Sequence, residues 1–380
     1  MKKGCFGKFI SFVFTLLILA GIGAAIYFNQ GYLKKNVVDR AKGMYYVHKG
    51  DEAYRKMNTN KAIKYYNKGL KLFPGHYSAW YNLGNIYVSY EDYYSALYSY
   101  SQAFKHNPKM MIARMNYGIV ATQKLGNFDI AIDQFNKIVR TKRKLLSIPY
   151  IFNNRVSTKA NKAIAYYNIG VTYRLKSLYA NDDWEKQRKY LAKAIENYKK
   201  SLKIAPKSYD TLYNLGVAYH LAGRYDDAGI NYCKAIEVQP MSYEAHYNLA
   251  VLLRRLRHFE ESYEEIEKAA TLVSALNENS AQQQYVAIVM NDIMRTMYGN
   301  EEYRKQLKTF LDEEKSKSAE HIKTKSKAKE TKKDKENGTV TTETVNLVNG
   351  KVVVTKELDS AILKSFGKCP SIKLFTNDDD

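Results

Sequence analysis

The chain is poor in the residues that build covalent scaffolds and metal sites. Its 380 residues include three cysteines, Cys5, Cys233 and Cys369, and none of them forms a CxxC pair. Zinc sites and small disulfide scaffolds use several cysteines at short spacing. Neither kind of structure is predicted, although so low a count leaves an oxidising compartment open.

Catalytic signatures are lacking as well. The seven histidines form no HExxH motif, and the chain has neither a GxSxG nucleophile elbow nor a phosphate-binding P-loop. Gly21 and Gly23 make half of a GxGxxG motif, but they lie inside an apolar run and the third glycine is missing. We therefore expect no enzymatic activity, no cofactor and no metal site.

Positive charge and tyrosine are plentiful instead. The net charge is +22, and 34 residues are tyrosine. A basic balance favours acidic partners, such as nucleic acid, anionic lipid or an acidic protein. Nucleic acid is not expected as a partner, because no basic cluster is interleaved with stacking aromatics in a nucleic-acid-binding pattern.

The N-terminal residues predict a membrane anchor. After the basic segment 1–8, residues 9–28 carry no charge over twenty positions. As a helix rising about 1.5 Å per residue they would span roughly 30 Å, the thickness of a bilayer core. A cleaved signal peptide is the alternative, since residues 23–25 resemble a small-residue cleavage site. The apolar run continues past that site, which favours an uncleaved, single-pass anchor.

The orientation of this anchor stays open. The lysines of 1–8 are matched by basic residues in the juxtamembrane linker 29–42. An export-type N-terminus before a long domain favours the inner (cytoplasmic) membrane, with the bulk of the chain in the periplasm. Gly21 and Ala25 have the spacing of small residues at packed membrane helices, which indicates self-association.

A 34-residue period runs through residues 43–276. Four prolines mark it as two pairs, each 34 residues apart: Pro74 and Pro108, Pro206 and Pro240. Letters close to YNLG recur at 81–84, 167–170, 213–216 and 247–250. Apolar residues at helical spacing and a closing proline indicate two helices per period. One such pair cannot bury its apolar face alone, so neighbours must stack.

The unit 208–240 closely resembles the tetratricopeptide repeat (TPR). Leu215 and Gly216 are followed, at that family's offsets, by Tyr219, Gly223, Tyr225, Ala228, Tyr232, Ala235 and Pro240. The resemblance implies an all-α, right-handed superhelical solenoid of helix pairs. In this register there are six units: 43–76, 77–110, 111–145, 163–208, 209–242 and 243–276.

Two insertions, near 144–162 and 176–189, interrupt this register around the fourth unit. They are either longer helices or a loop, or a projection that contacts a partner, because insertions in repeat arrays collect on one face. Trp184 lies in the second insertion.

The resemblance also implies a groove for extended peptides. In several TPR proteins, the asparagine before the Leu-Gly pair binds a peptide backbone, and the matching positions are Asn82, Asn116, Asn168, Asn214 and Asn248. Neighbouring side chains would add contact area and positive charge: Tyr81, Tyr167, Tyr213, Tyr247 and Arg254. The alternative is that these asparagines form hydrogen bonds within the array.

The C-terminal third divides into three parts. Residues 277–314 are expected to form capping helices, and 315–338 a charged linker. In the last part, 339–380, two β-prone runs flank Asn349 and Gly350, which predicts a small β-hairpin followed by a tail.

These features favour a membrane-anchored TPR scaffold that mediates protein–protein interactions in a cell-envelope assembly. The plan and the composition resemble the periplasmic collar proteins of spirochaete flagellar motors, which implies a periplasmic part of such a motor. The alternative is a cytosol-facing TPR receptor or co-chaperone that binds extended peptides.

Overall fold

The computed structural model describes residues 3–141, 155–180, 183–274, 281–299, 344–348, 351–355 and 365–376, together with 305 and 309. The chain divides into two compact units, Met1–Asn161 (unit 1) and Lys162–Asp380 (unit 2). The predicted charged linker 315–338 lies outside the described residues.

The N-terminal residues form helix α1 (Lys3–Phe28), followed by the short helix α2 (Gln30–Leu33) and a π-helical turn at Lys34–Val38. Over the part of the chain that the structure describes, no helix combines the length and the hydropathy that crossing a bilayer requires. The anchor predicted at 9–28 is therefore not supported. Lys3 and Lys8, which were expected to precede the apolar helix, lie inside it.

Unit 1 contains three antiparallel helix pairs. Their bounds are α3 (Asp39–Arg55) with α4 (Thr59–Leu72), α5 (Tyr77–Ser89) with α6 (Tyr93–His106), and α7 (Met111–Gln123) with α8 (Phe128–Val139). Within each pair an aromatic ring of the second helix lies on a glycine of the first. At Gly84, an added Cβ would stand 2.5 Å from the ring of Tyr100. The glycine is needed because that ring fills the space of a side chain.

Unit 2 repeats the arrangement. Its helices are α9 (Arg155–Leu178), which begins before the unit boundary, α10 (Trp184–Ile204), α11 (Tyr209–Leu221), α12 (Tyr225–Val238), α13 (Tyr243–Arg255) and α14 (Phe259–Ser274). Gly170 lies under Tyr198 and Gly216 under Tyr232. A further helix, α15 (281–299), buries Val286, Met290 and Ile293 in the cluster formed with α13 and α14.

The second insertion lengthens both helices of its pair. Helices α9 and α10 have 24 and 21 residues, whereas α11 and α12 have 13 and 14. Asp183 caps α10 by accepting a hydrogen bond of 2.9 Å from the Lys186 amide. At the turn between the two helices, Leu178, Tyr179 and Trp184 are 51%, 71% and 66% exposed. The helix pair therefore presents an aromatic tip, and most of the first insertion, 144–154, lies outside the described residues.

Most turns inside the helix pairs use one residue of left-handed backbone just before the second helix. Two of these residues are glycines, Gly126 (φ 65°) and Gly223 (φ 73°). The other three are Met57 (φ 58°), Glu91 (φ 60°) and Arg257 (φ 68°). A side chain costs energy in this region, so these three turns carry local strain.

The C-terminal residues give two separate features. Strands β1 (Thr344–Val348) and β2 (Lys351–Thr355) pair antiparallel, with Val348 opposite Lys351, and Asn349 and Gly350 between them lie outside the described residues. Residues 365–376, which include a 3-10 helix at Pro370–Leu374, pack against α12. Cys369 forms a disulfide with Cys233 of α12. Neither the disulfide nor this packing was predicted from the sequence.

Candidate functional site

The tyrosines and asparagines of the YNLG-like segments hydrogen-bond one another between neighbouring repeats. Asn248 Nδ2 donates to Tyr213 Oη at 2.9 Å, and Asn214 Nδ2 donates to Tyr167 Oη at 3.3 Å. In unit 1, Asn116 Nδ2 lies 3.4 Å from Tyr81 Oη. These contacts join consecutive first helices: α11 to α13, α9 to α11, and α5 to α7. The repeated letters therefore serve packing between repeats as well as within them.

The second N–H of each amide is also used. Asn214 and Asn248 donate to the carbonyl oxygens of Asp210 and Glu244, one helical turn earlier, both at 2.9 Å. An asparagine amide has two N–H donors and one oxygen acceptor. Among the described residues, no donor reaches the amide oxygen of either asparagine. Each can therefore accept a hydrogen bond from a ligand N–H but has no donor left.

Two further predicted asparagines are held inside their units. Asn82 donates to Asp51 Oδ1 and Tyr66 Oη, each at 3.1 Å. Asn168 is buried and donates to the Ile164 carbonyl oxygen at 2.9 Å. The predicted site residues thus lie in two places, because Tyr81, Asn82 and Asn116 belong to unit 1 and the others to unit 2.

The tyrosines of unit 2 are packed on other tyrosine rings. The Tyr167 ring lies 6.0 Å from that of Tyr198, and the Tyr213 ring 6.2 Å from that of Tyr232. Burial raises the pKa of Tyr167 to about 12, and burial followed by the nearby Glu244 carboxylate raises the pKa of Tyr213. Both phenols are therefore neutral at physiological pH.

A pocket of about 230 Å³ opens beside the Tyr213–Asn248 hydrogen bond. Its lining residues come from α11, α13 and α15: Tyr213, Tyr243, Glu244, Tyr247, Asn248, Gln282, Tyr285 and Val286. Three of them, Tyr213, Tyr247 and Asn248, are predicted site residues. The lining offers phenols, two amides and one carboxylate, and it contains no cationic side chain. These groups suit a ligand that brings N–H donors or a positive charge.

Arg254, the predicted cation of the groove, has a partner inside the chain. Its guanidinium forms an ion pair with the Asp292 carboxylate of α15. Arg255, the next residue, stacks over the Tyr225 ring at 5.0 Å from the centroid. Sequence reasoning could not foresee the Arg254 pair, because Asp292 lies in the capping helix and outside the repeat register.

Sequence reasoning also missed a buried polar network. His246 Nδ1 lies 2.6 Å from Glu265 Oε2, and its Nε2 lies 3.0 Å from the Pro240 carbonyl oxygen. Lys268 Nζ donates to Glu265 Oε1 at 2.6 Å. His246 stands four residues before Ala250, the place at which Leu212 precedes Gly216, so a polar residue at an apolar repeat position was the available signal.

In the described ranges, no group of three or more His, Cys, Asp or Glu side chains is placed to hold a metal ion.

Family models match the chain in both units. Models described as tetratricopeptide repeats match residues 48–93, 77–110, 209–240 and 243–272, and one described as a TPR repeat matches 185–223. Together these ranges lie on helices α3–α6 and α10–α14.

Several solved structures are similar to the chain. One is PilW, described as a widely conserved type IV pilus biogenesis factor, with 18% identity and a TM-score of 0.47 over 64% of this chain and 98% of that one. The MamA protein has 23% identity and a TM-score of 0.41 over 52% and 91%. A thermophilic TPR protein in Thermus thermophilus has 19% identity and a TM-score of 0.43 over 56% and 98%. No curated protein matches the chain.

Proposed function

Because the chain carries tetratricopeptide repeats in both compact units, we propose that it is a scaffold that binds a protein partner through the pocket of unit 2. The observation that carries this proposal is the pocket itself. Tyr213, Tyr247 and Asn248 meet there with the free amide oxygen of Asn248 and the Glu244 carboxylate. Tyrosine is a frequent residue at interfaces, since it offers a large rigid surface and a polar end.

The expected ligand is an extended segment of a partner with a basic side chain. A backbone N–H of such a segment can donate to the Asn248 amide oxygen, and a lysine or arginine can pair with Glu244. An acidic segment fits less well, because the charge of Arg254 is already matched by Asp292.

A photo-crosslinking amino acid placed at Tyr285 tests the pocket, because Tyr285 lines it and is 64% exposed. We expect a crosslink to a partner in cells. The matched control is the same amino acid at Glu267, an exposed residue of α14 outside the pocket lining. Equal crosslinking at both positions, or none at Tyr285, contradicts the proposal.

Alanine variants test the polar groups. Replacing Gln282 with Ala removes an exposed lining residue and is expected to weaken partner binding without lowering stability. Replacing Asn214 and Asn248 together with Ala should weaken binding too, but it also removes two bonds between repeats. Unfolding curves of both variants separate the two effects, and unchanged binding in the Gln282 variant counts against the pocket.

The tip of the α9–α10 pair is the second proposed contact surface. Tyr179 and Trp184 are largely exposed there, and tryptophan and tyrosine dominate the energetically important positions of protein interfaces. Further along the two helices, the Tyr173 and Tyr190 rings stack with their centroids 6.2 Å apart. An exposed aromatic projection is suited to enter a partner's apolar pocket.

We further propose that the N-terminal helix places the chain at the inner membrane, with its bulk in the periplasm. The support is the uncharged sequence 9–28 and the exposure of every described side chain from 13 to 24. No described helix meets the requirements of a membrane span, so this proposal rests on sequence and exposure. Retention in the membrane pellet after alkaline extraction is expected, and complete release would overturn it.

The assembly served by the scaffold is proposed to belong to the cell envelope. Its support is the architectural resemblance to spirochaete flagellar collar proteins. The alternative is a receptor that faces the cytosol. Protease added outside the inner membrane should degrade the repeats in the periplasmic arrangement and leave them intact in the alternative.

A further inference from the structure

The C-terminal residues 365–376 form an apolar plug on unit 2, which we name the clasp. The side chains of Phe366, Cys369 and Phe375 are buried, as is Ser371. Lys368 and Lys373, on the other side of the segment, are exposed. One face of the clasp is therefore apolar and covered, while the opposite face is charged and meets water.

The sequence of α12 provides a recess that fits this plug. Gly229 lies directly under the Phe375 ring, and a Cβ at that position would collide with it. Phe366 meets the His246 ring of α13 edge to face, with centroids 5.9 Å apart and planes at 88°. Two aromatic rings thus occupy two separate places on neighbouring helices, which fixes the position of the segment and its direction.

The disulfide joins the clasp to the recess between these two rings. Cys233 of α12 is fully buried, Cys369 is 8% exposed, and their Cα atoms are 5.4 Å apart. This separation lies within the usual range for bonded cysteines. The two residues are 136 positions apart in sequence, so only the docked clasp brings them together.

We propose that the disulfide between Cys233 and Cys369 forms in the cell and persists in the working protein, so that it fastens the clasp to unit 2 as a permanent part of it. The two thiols lose two protons and two electrons. The electrons pass to a protein disulfide of the oxidoreductase class, which is reduced to a dithiol. Such oxidants act in the periplasm and in other oxidising compartments, whereas cytosolic thiols are kept reduced.

The disulfide does not depend on the pocket, and it indicates which cellular compartment contains unit 2. A buried disulfide that is formed in the cell places unit 2 outside the reducing cytosol. It therefore argues against the cytosol-facing alternative, on grounds that do not involve the N-terminal helix. Loss of partner binding in a pocket variant would leave the clasp unaffected, and loss of the disulfide would leave the pocket proposal standing.

Thiol counting in the full-length chain tests the proposal. Cells of the native host are quenched in acid, and the denatured chain is treated with a maleimide polymer that adds a fixed mass to each free thiol. We expect one shift without reductant, from Cys5, and three after reduction. In a Cys5→Ser variant the expected counts are none and two. Two free thiols in the unreduced variant would overturn the proposal.

A control variant separates this bond from one between two chains. The variant Cys233→Ser should show one more free thiol than the wild type without reductant, because Cys369 loses its partner. The Cys5→Ser chain should run as a monomer on a non-reducing gel. A dimer that a reductant separates into monomers would contradict a bond within one chain.

Packing of the clasp in its recess is tested by hydrogen exchange of the purified full chain. Gly229→Leu fills the place of the Phe375 ring and should raise exchange of residues 365–376 more than tenfold. Leu374→Ala, at a residue of the clasp that is 38% exposed, is the matched control and should leave exchange nearly unchanged. If Gly229→Leu has no effect on exchange, the recess is not what holds the clasp.

Discussion

Asn248 donates a hydrogen bond of 2.9 Å to the hydroxyl of Tyr213, a residue of the preceding repeat. The same kind of pair joins Asn214 to Tyr167 at 3.3 Å. In both pairs the earlier repeat supplies the phenol and the later repeat supplies the amide. This pairing links the order of the letters Tyr-Asn to the stacking of whole helix pairs.

The variant Tyr213→Phe is expected to lower the free energy of unfolding by about 1 kcal/mol, since it removes an acceptor from a half-buried amide donor. Denaturant unfolding followed by circular dichroism measures the change. Tyr247→Phe is the matched control, because among the described residues the Tyr247 hydroxyl has no hydrogen-bond partner. Equal effects of the two variants would show that the Tyr213–Asn248 bond adds nothing to stability.

The turns with left-handed backbone offer a gain in stability. Glu91 holds φ at 60° just before the cap residue Asp92, and glycine adopts this conformation without a steric penalty. We expect Glu91→Gly to raise the free energy of unfolding by roughly 0.5–1 kcal/mol. Gly223→Ala should lower it by a similar amount, because Gly223 has φ of 73°. A loss of stability in the Glu91 variant would contradict the strain argument.

Because His246 and Glu265 are buried against each other, we expect the contribution of each residue to the free energy of unfolding to depend strongly on the other. The single variants Glu265→Leu and His246→Leu each leave polar groups buried without a partner, and each is expected to cost about 3–5 kcal/mol. Replacing both residues with leucine should recover most of that loss, since Lys268 is partly exposed and can turn to water. A double-mutant cycle from denaturant unfolding measures the coupling, and additive single costs would refute it.

Alkaline pH is expected to unfold the repeats. Burial raises the pKa of both Tyr100 and Tyr167 to about 12, whereas a tyrosine in an unfolded chain titrates near 10. The unfolded state therefore releases these protons first. Their contribution to stability is complete below pH of about 10 and is lost as the pH rises towards about 12.

Parallel titrations of tyrosinate absorbance and helical circular dichroism measure this alkaline loss. The double variant Tyr100→Phe, Tyr167→Phe should make stability fall less steeply in this pH range. Tyr94→Phe, at an exposed residue, should not change the slope. Equal loss of stability with rising pH in the double variant and the wild type would contradict this prediction.

The aromatic tip of α9 and α10 predicts a variant that loses binding and keeps its fold. Trp184 is 66% exposed, so Trp184→Ala should change the free energy of unfolding by less than about 0.5 kcal/mol. If the tip enters a partner, the same change should weaken binding at least tenfold, as truncation of a central aromatic contact does. Co-purification of the crosslinked partner measures the loss of binding, and Lys189→Ala, at another exposed residue of α10, serves as a surface control.

The repeat architecture could be predicted from sequence because its signals are local or periodic. Gly84, Gly170 and Gly216 recur with an aromatic partner downstream, and each glycine is indeed covered by that ring. Models described as tetratricopeptide repeats match residues 77–110 and 209–240, which contain the helix pairs of Gly84 and Gly216. The 34-residue period determines which residues face a neighbouring helix, and the chain repeats this pattern several times.

Contacts between residues that the 34-residue period does not relate could not be predicted in the same way. Arg254 pairs with Asp292 of the capping helix, and Cys233 with Cys369, and no period relates either pair. The asparagines show a subtler limit. Their positions follow from the repeat, but whether an amide faces a ligand or the next tyrosine depends on the spacing between stacked helices, and the sequence does not state this spacing.

The bond between Cys233 and Cys369 turns the chain between them into a covalent ring. Residues 315–338 and both strands belong to that ring, so a single cut by a protease inside 315–338 does not shed the C-terminal part. The two fragments remain joined through α12 and separate only on reduction. A nicked molecule would run as one band on a non-reducing gel and as two on a reducing gel. The chain therefore tolerates damage at its most lysine-rich stretch without losing its end.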